Sequence, residues 1–283
     1  MSRIDAHQHV WRLSRGDYGW LTPALGPIYR DFTPDDLAPH LAAHDIAATI
    51  LVQAAPTAAE TAFLLDIART TDFVAGVVGW TDFDAPDAPA AIAGLAANPL
   101  LVGLRPMVQD IADDDWLARA ALASAFDAIV AQNLVFDALL KPRHLPRLIA
   151  ALDRHPQLAV VIDHGAKPAI GGDDDDAWRA GIAAAARYPN VACKLSGLVT
   201  EAPAHWQIDD LRPYVEYLLT CFGPQRLIWG SDWPVVTLAA DYGRWVAAAE
   251  HLMAPLDDEA RAAVFGGNAR RIYLAHRGKP IAC

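Results

Sequence analysis

The stretch IDAHQHVW, residues 4–11, sets two histidines one residue apart among apolar neighbours. The secondary structure it adopts decides what the chain can be. On a strand, side chains at i and i+2 share a face, so His7 and His9 converge; on a helix they diverge. Neutral imidazole is a favoured ligand for zinc and related divalent ions, and a catalytic centre needs about three protein ligands with one position left open. A lone HxH also fits the polar face of an ordinary strand or loop, so the rest of the chain must supply the other ligands.

Working outward from that stretch, short β-branched or apolar runs recur at residues 3–10, 47–53, 73–80, 100–105, 134–137, 158–164, 191–197 and 226–232. Most start roughly 25 to 35 residues apart, the length of a strand, two loops and a helix. The segments between them are alanine-rich and carry helix signals. Thr57-Ala58-Ala59-Glu60 reads as a capping box, and Thr33-Pro34-Asp35-Asp36 as a cap, an N1 proline and early acidic residues, with Pro39 expected to shorten or bend the helix that follows. The pattern predicts an α/β chain folded as one (β/α)8 TIM barrel over residues 1–283, with a C-terminal helix. The first connection is the exception in length. WRLSRGDYGWLTPALGPIYRD, residues 11–31, is a long aromatic loop on the face where barrel active sites lie, and so a candidate lid or substrate wall.

Composition narrows the partners. With 53% hydrophobic and 20% charged residues the chain can fill a large core. Its net charge of −11 repels phosphate backbones and anionic lipid, which argues against nucleic-acid and membrane partners. No run approaches the roughly 20 apolar residues of a membrane span, and the first residues lack a basic region followed by an apolar one, so the cytoplasm is the expected location. Cys193, Cys221 and Cys283 show neither CxxC spacing nor a disulfide framework and read as reduced thiols. The acidic run in GGDDDDAW, residues 171–178, reads as a solvated loop leading into a helix N-terminus.

The other candidate ligands stand at strand ends. His164 terminates LAVVIDHG and Asp232 follows RLIWGS, two polar groups at the ends of hydrophobic strands. Shared coordination or mutual hydrogen bonding would offset the cost of burying them. Arg105, Gln53 and Asp137 end LVGLR, TILVQ and LVFD, and Lys194 and Ser196 share one face of VACKLSG. Each of these admits an ordinary structural role as well. No GxSxG elbow recommends a nucleophilic serine. His40 and His44, at helical i, i+4 spacing, read as surface residues.

IDAHQHVW, YGWL, IDHGAKP, CKLSGL, GSDWPV and GNARRIY together resemble the amidohydrolase-related superfamily, and more narrowly its sugar-lactone hydrolase branch, the L-fuconolactonase and L-rhamnonolactonase-like enzymes. The motifs run from residue 4 to residue 273. The resemblance implies a (β/α)8 barrel with His7, His9 and Asp232 around one divalent ion, zinc by ligand type, or a site that works without metal. Arg105 stands where binuclear members carry a bridging lysine, which favours at most one ion. It further implies Asp232 and His164 as catalytic residues, and for such a reaction Trp11, Trp20, Arg30, Gln53, Arg105, Lys194 and Trp233 are expected around the substrate. The expected activity is a carboxylic ester hydrolase opening a small sugar lactone in carbohydrate catabolism, in a chain compatible with a homo-oligomer. Two alternatives stay open: a metal-dependent decarboxylase of the same superfamily, and a non-catalytic barrel that binds sugar acids.

Overall fold

The computed structural model describes residues 2–172 and 175–281. Asp173 and Asp174 of the acidic run, and Cys283, lie outside the described residues; Cys193 and Cys221 are free thiols. Eight parallel strands follow one another around a single sheet in chain order. They are β1 (Arg3–Gln8), β2 (Ile46–Val52), β3 (Val74–Gly79), β4 (Leu101–Leu104), β5 (Val135–Ala138), β6 (Val160–Ile162), β7 (Val191–Leu195) and β8 (Leu227–Trp229). The predicted runs locate all eight, each within a few residues. The polar ends of several runs, Arg105, His164 and Asp232 among them, stand just past the last paired residue, where side chains are released into the barrel mouth.

Helices α1 (Pro34–Ala43), α2 (Ala58–Thr70), α3 (Ala88–Ala96), α4 (Ala123–Ala131), α5 (Leu145–Arg154), α6 (Asp176–Ala186), α7 (Ile208–Phe222) and α8 (Tyr242–Met253) surround the sheet. Among the described residues no helix is long and apolar enough to cross a membrane. α1 carries the expected cap, with the Thr33 amide donating to Asp36 at 2.8 Å, and it runs through Pro39 for another turn. α2 departs from the expected capping box. Thr57 Oγ1 does accept from the Glu60 amide, but the Glu60 carboxylate reaches the Ala54 and Ala55 amides instead of the cap residue. Those two buried amides at the end of β2 need an acceptor, whereas the Thr57 amide already donates to Ala55 O. Burial pushes the Glu60 carboxyl up to about 7 in spite of these bonds.

The barrel interior is apolar below and charged above. Ile4, Ala6, Ile50, Val52, Val78, Val161, Ala192 and Ile228 fill it, each buried valine or isoleucine side chain contributing on the order of 1.5–3 kcal/mol. Past α9 (Asp258–Ala262), the last helix, α10 (Asn268–Tyr273), plugs the lower end with Ala269 and Tyr273. β1 is irregular: the three-residue step from Asp5 to Gln8 stands against the two-residue step from Thr49 to Leu51. Such a bulge breaks strict alternation, so Ala6 joins the interior cluster while the adjacent His7 also turns inward.

Two backbone hydrogen bonds join the ends of β1 and β8 across the seam. The Asp232 amide donates to His7 O and the His9 amide to Trp233 O, each at 2.7 Å. The strands meet so closely that a Cβ on Gly230 would lie 2.9 Å from the His7 backbone nitrogen and 2.7 Å from its Cβ. Gly230→Ala must therefore push the seam apart. We expect a loss of about 1–3 kcal/mol in urea unfolding, the usual cost of overpacking, and an unchanged midpoint would contradict this account of closure.

Candidate active site

The seam delivers three of the expected residues to one point. His7, on β1, and His9, just beyond it, are both buried, as is Asp232. Asp232 Oδ1 lies 3.3 Å from His9 Nε2, 3.7 Å from His7 Nε2 and 4.0 Å from His164 Nε2. Asp232 holds φ at 58°, a left-handed conformation uncommon for a residue with a side chain. His164 arrives from the turn after β6, also at positive φ, and its Nδ1 meets Ser196 Oγ at 2.9 Å. Gly197 makes room for that ring, since a Cβ there would lie 2.4 Å from His164 Nδ1.

The protonation states follow from burial and neighbours. Burial pushes the His164 imidazole down to about 4, against the pull of Asp232 and Asp163. His7 is driven well below the ordinary histidine range by burial and the nearby Lys194 ammonium, against Asp163. Both rings are neutral at pH 7. Burial alone would raise the Asp232 carboxyl, but His164, His9 and His7 hold it below the usual carboxylate range, so it is ionised.

A layer of charge lies beneath the imidazoles. Asp163 Oδ1 faces His7 Nδ1 at 3.4 Å and Lys194 Nζ at 3.0 Å, and Asp163 Oδ2 accepts from Arg105 at 3.2 Å. Lys194 also donates to Asp137 at 2.5 Å, and Asp137 accepts from the Tyr273 hydroxyl at 2.7 Å. Lys194, Asp137 and Asp163 are all fully buried. Two carboxylates and two cations balance there, which makes such burial tolerable.

A pocket of about 190 Å³ opens above this constellation, walled by His9, Trp20, Arg105, His164, Lys167 and Asp232 among others. Of the residues expected around the substrate, the structure brings Trp20 and Arg105 to its wall. Gln53 instead clamps Arg105, accepting from its guanidinium at 2.9 Å through Oε1 while donating to Arg105 O at 3.0 Å. Lys194 sits in the charged layer below, because Asp137 and Asp163 draw its ammonium inward. Trp11 and Trp233 are buried in an aromatic cluster, each edge to face with Phe32, at the base of the first loop. Arg30 lies outside on the Phe32 face, bonded to Asp36. Lys167 and Asp163 were not singled out from the sequence. Asp163 shares the inward parity of Val161, as the strand-end Asp137 shares that of Val135, so strand parity offered a signal for Asp163, whereas Lys167 sits in a turn that periodicity does not reach.

The donor set fits one divalent ion. His9 Nδ1 lies 2.8 Å from Val52 O, an acceptor only, so Nδ1 carries the proton there. The other ring nitrogen, Nε2, faces the Asp232 carboxylate, and a proton or a cation between the two satisfies both. Ligand atoms on a tetrahedral zinc stand about 3.3 Å apart, close to the His9–Asp232 separation of 3.3 Å and the His7–Asp232 separation of 3.7 Å. The Val52 carbonyl and Asp163 stand behind the two rings, the second layer that orients such ligands.

Comparison with known proteins adds to this geometry. A family model described as amidohydrolase matches residues 4–274. An L-fucono-1,5-lactonase of Burkholderia ambifaria is 50% identical, over 97% of this chain and 96% of that protein. One of Burkholderia multivorans is 40% identical, over 96% and 95%. A solved amidohydrolase structure from Burkholderia multivorans with bound Zn is 39% identical, with a TM-score of 0.90 over 96% of this chain and 99% of that one.

If His7, His9 and Asp232 hold an ion, the purified protein should carry about one zinc per chain by elemental analysis. His9→Ala should then bring zinc close to background with the far-ultraviolet spectrum unchanged. Undiminished zinc in that variant would exclude this ligand set.

Proposed function

We propose that this chain, which belongs to the amidohydrolase family, is a lactone hydrolase that opens a sugar lactone such as L-fuconolactone to its aldonic acid. The observation that carries the reading is the Asp232 carboxylate facing three imidazoles under a pocket of about 190 Å³. Of the readings the sequence left open, hydrolysis is the one that agrees with the full-length lactonase relatives. In this role the reaction belongs to carbohydrate catabolism, downstream of an oxidation that makes the lactone.

Asp232 takes a proton from a water molecule as the water oxygen bonds to the lactone carbonyl carbon, and the carbonyl π electrons move to oxygen. With Ser196 donating to His164 Nδ1, Nε2 carries the His164 proton and donates to that oxygen as its charge grows. Arg105, held by Gln53 and Asp163, adds a fixed positive charge nearby. Groups preorganised in this way need no reorganisation at the moment of reaction. When the intermediate collapses, the bond from carbonyl carbon to ring oxygen breaks, and Asp232 returns its proton to the leaving alkoxide. Trp20 provides an apolar wall for the sugar ring. A divalent ion held by His7, His9 and Asp232 would supply Lewis acidity and a lower pKa for water.

A panel of L-fucono, L-rhamnono, L-galactono and D-arabinono lactones, read by a pH indicator, tests the proposal. We expect proton release without carbon dioxide from at least one, with kcat/KM of about 10⁴ M⁻¹s⁻¹ or more. Carbon dioxide from aromatic acids, with every lactone inert, would replace hydrolysis by decarboxylation.

A further inference from the structure

Lactone hydrolysis turns a neutral ester into a carboxylate, so substrate and product differ by a full charge at one carbon. The surroundings of the catalytic pocket are correspondingly asymmetric. On one side, across Trp20, Met107 and Asp110, lies a cavity of about 440 Å³ bordered by Asp17, Asp82 and Asp84, with no lysine or arginine among the described residues of its wall, although Asp17 pairs with Arg15 and Asp84 with Arg119 from outside it. On the other side, across Gln109 and Lys167, lies a more open basin of about 520 Å³ bordered by Lys141, Arg143 and Glu201.

Lys167 is the cation common to pocket and basin. His164, Gly165, Ala166 and Lys167 are four successive residues with φ between 53° and 59°. Three of them bear side chains, so the backbone is strained, as functional turns often are. That turn brings Lys167 back beside His164, its amide donating to His164 O at 2.8 Å. Lys167 Nζ is 3.0 Å from Glu201 Oε1, with both side chains about a quarter exposed (22% and 27%). Water screens such a pair, so its exchange for another carboxylate costs little. Arg143 pairs with Asp114 at 2.7 Å, whereas no ion pair engages Lys141 among the described residues.

We infer that the basin at Lys141, Arg143 and Lys167 is a binding site for the carboxylate of the aldonic acid product, with Lys167 exchanging Glu201 for that carboxylate. This rests on the hydrolase reading. It predicts that the site distinguishes product from substrate by charge, so the two respond differently to its loss.

The test compares the inhibition constant of L-fuconate with KM for the neutral lactone. In Lys167→Met we expect the inhibition constant to rise about tenfold, the scale of one charge-assisted hydrogen bond, and KM to rise far less, with Lys167→Arg restoring tight inhibition. Parallel changes in both constants, or an unchanged inhibition constant, would overturn the site. If Lys167→Met does not fold, the wild-type enzyme answers the question. Raising sodium chloride from about 50 to about 500 mM should weaken L-fuconate inhibition several-fold while KM holds, and a salt-independent inhibition constant would overturn the site. If the wild type hydrolyses no lactone, the hydrolase reading fails separately. Calorimetric titration with L-fuconate and neutral L-fucitol then tests the basin alone, with preference for the anion supporting it and equal binding overturning it.

Discussion

Two backbone hydrogen bonds, from the Asp232 amide to His7 O and from the His9 amide to Trp233 O, bring the last strand back to the first and build the site in the same act. Three of the four residues whose backbones close the barrel, His7, His9 and Asp232, meet through their side chains at its mouth. Asp5 reinforces the seam from within β1, accepting from the Ser231 amide at 2.8 Å, the His7 amide at 3.2 Å and the Tyr242 hydroxyl at 3.0 Å. Catalytic geometry is thus tied to closure, and a protein that lost the seam would lose the convergence of histidines and carboxylate with it.

The second constraint is electrostatic. A barrel filled with aliphatic side chains cannot accept lone charges, yet the chemistry needs an ionised carboxylate and oriented neutral imidazoles at its top. The layer of Asp137, Lys194, Asp163 and Arg105 mediates between the two regions, each charge meeting its opposite within about 3 Å. It holds His7 from below through Asp163, and Tyr273 of the C-terminal helix reaches up from the plug to Asp137. The end of the chain is thereby connected to the site through a column of buried polar contacts, with Lys194 and Gln53 supporting the pocket from beneath instead of lining it.

Much of this was legible in the sequence, for physical reasons. Eight apolar runs at near-regular spacing predict the strands because parallel strands buried on both faces must be continuously hydrophobic. The same regularity makes a polar residue at a run's end conspicuous, which is how His164, Asp232 and Arg105 emerge. Periodicity gives the face of a side chain but not its depth. Lys194 has the right parity yet stops below the pocket, where buried carboxylates hold it, and Gln53, one residue past the inward-facing Val52, turns to the buried Arg105 guanidinium. Trp11, Trp233 and Arg30 belong to the first loop and its base, where no repeat fixes direction and aromatic packing decides. Glu60 satisfied the capping-box pattern, but two buried amides outcompeted the cap. Lys167 lies in a run of left-handed residues that no propensity anticipates.

The account stands or falls on Asp232 as the group that moves the proton. The most direct test is turnover and ligand binding in Asp232→Asn, which keeps the side chain's shape and removes its basicity. We expect kcat to fall by about 10²–10⁴-fold, the range for loss of a general base, while L-fuconate still binds within a few-fold of wild type. Turnover near the wild-type rate in that variant would contradict the central claim.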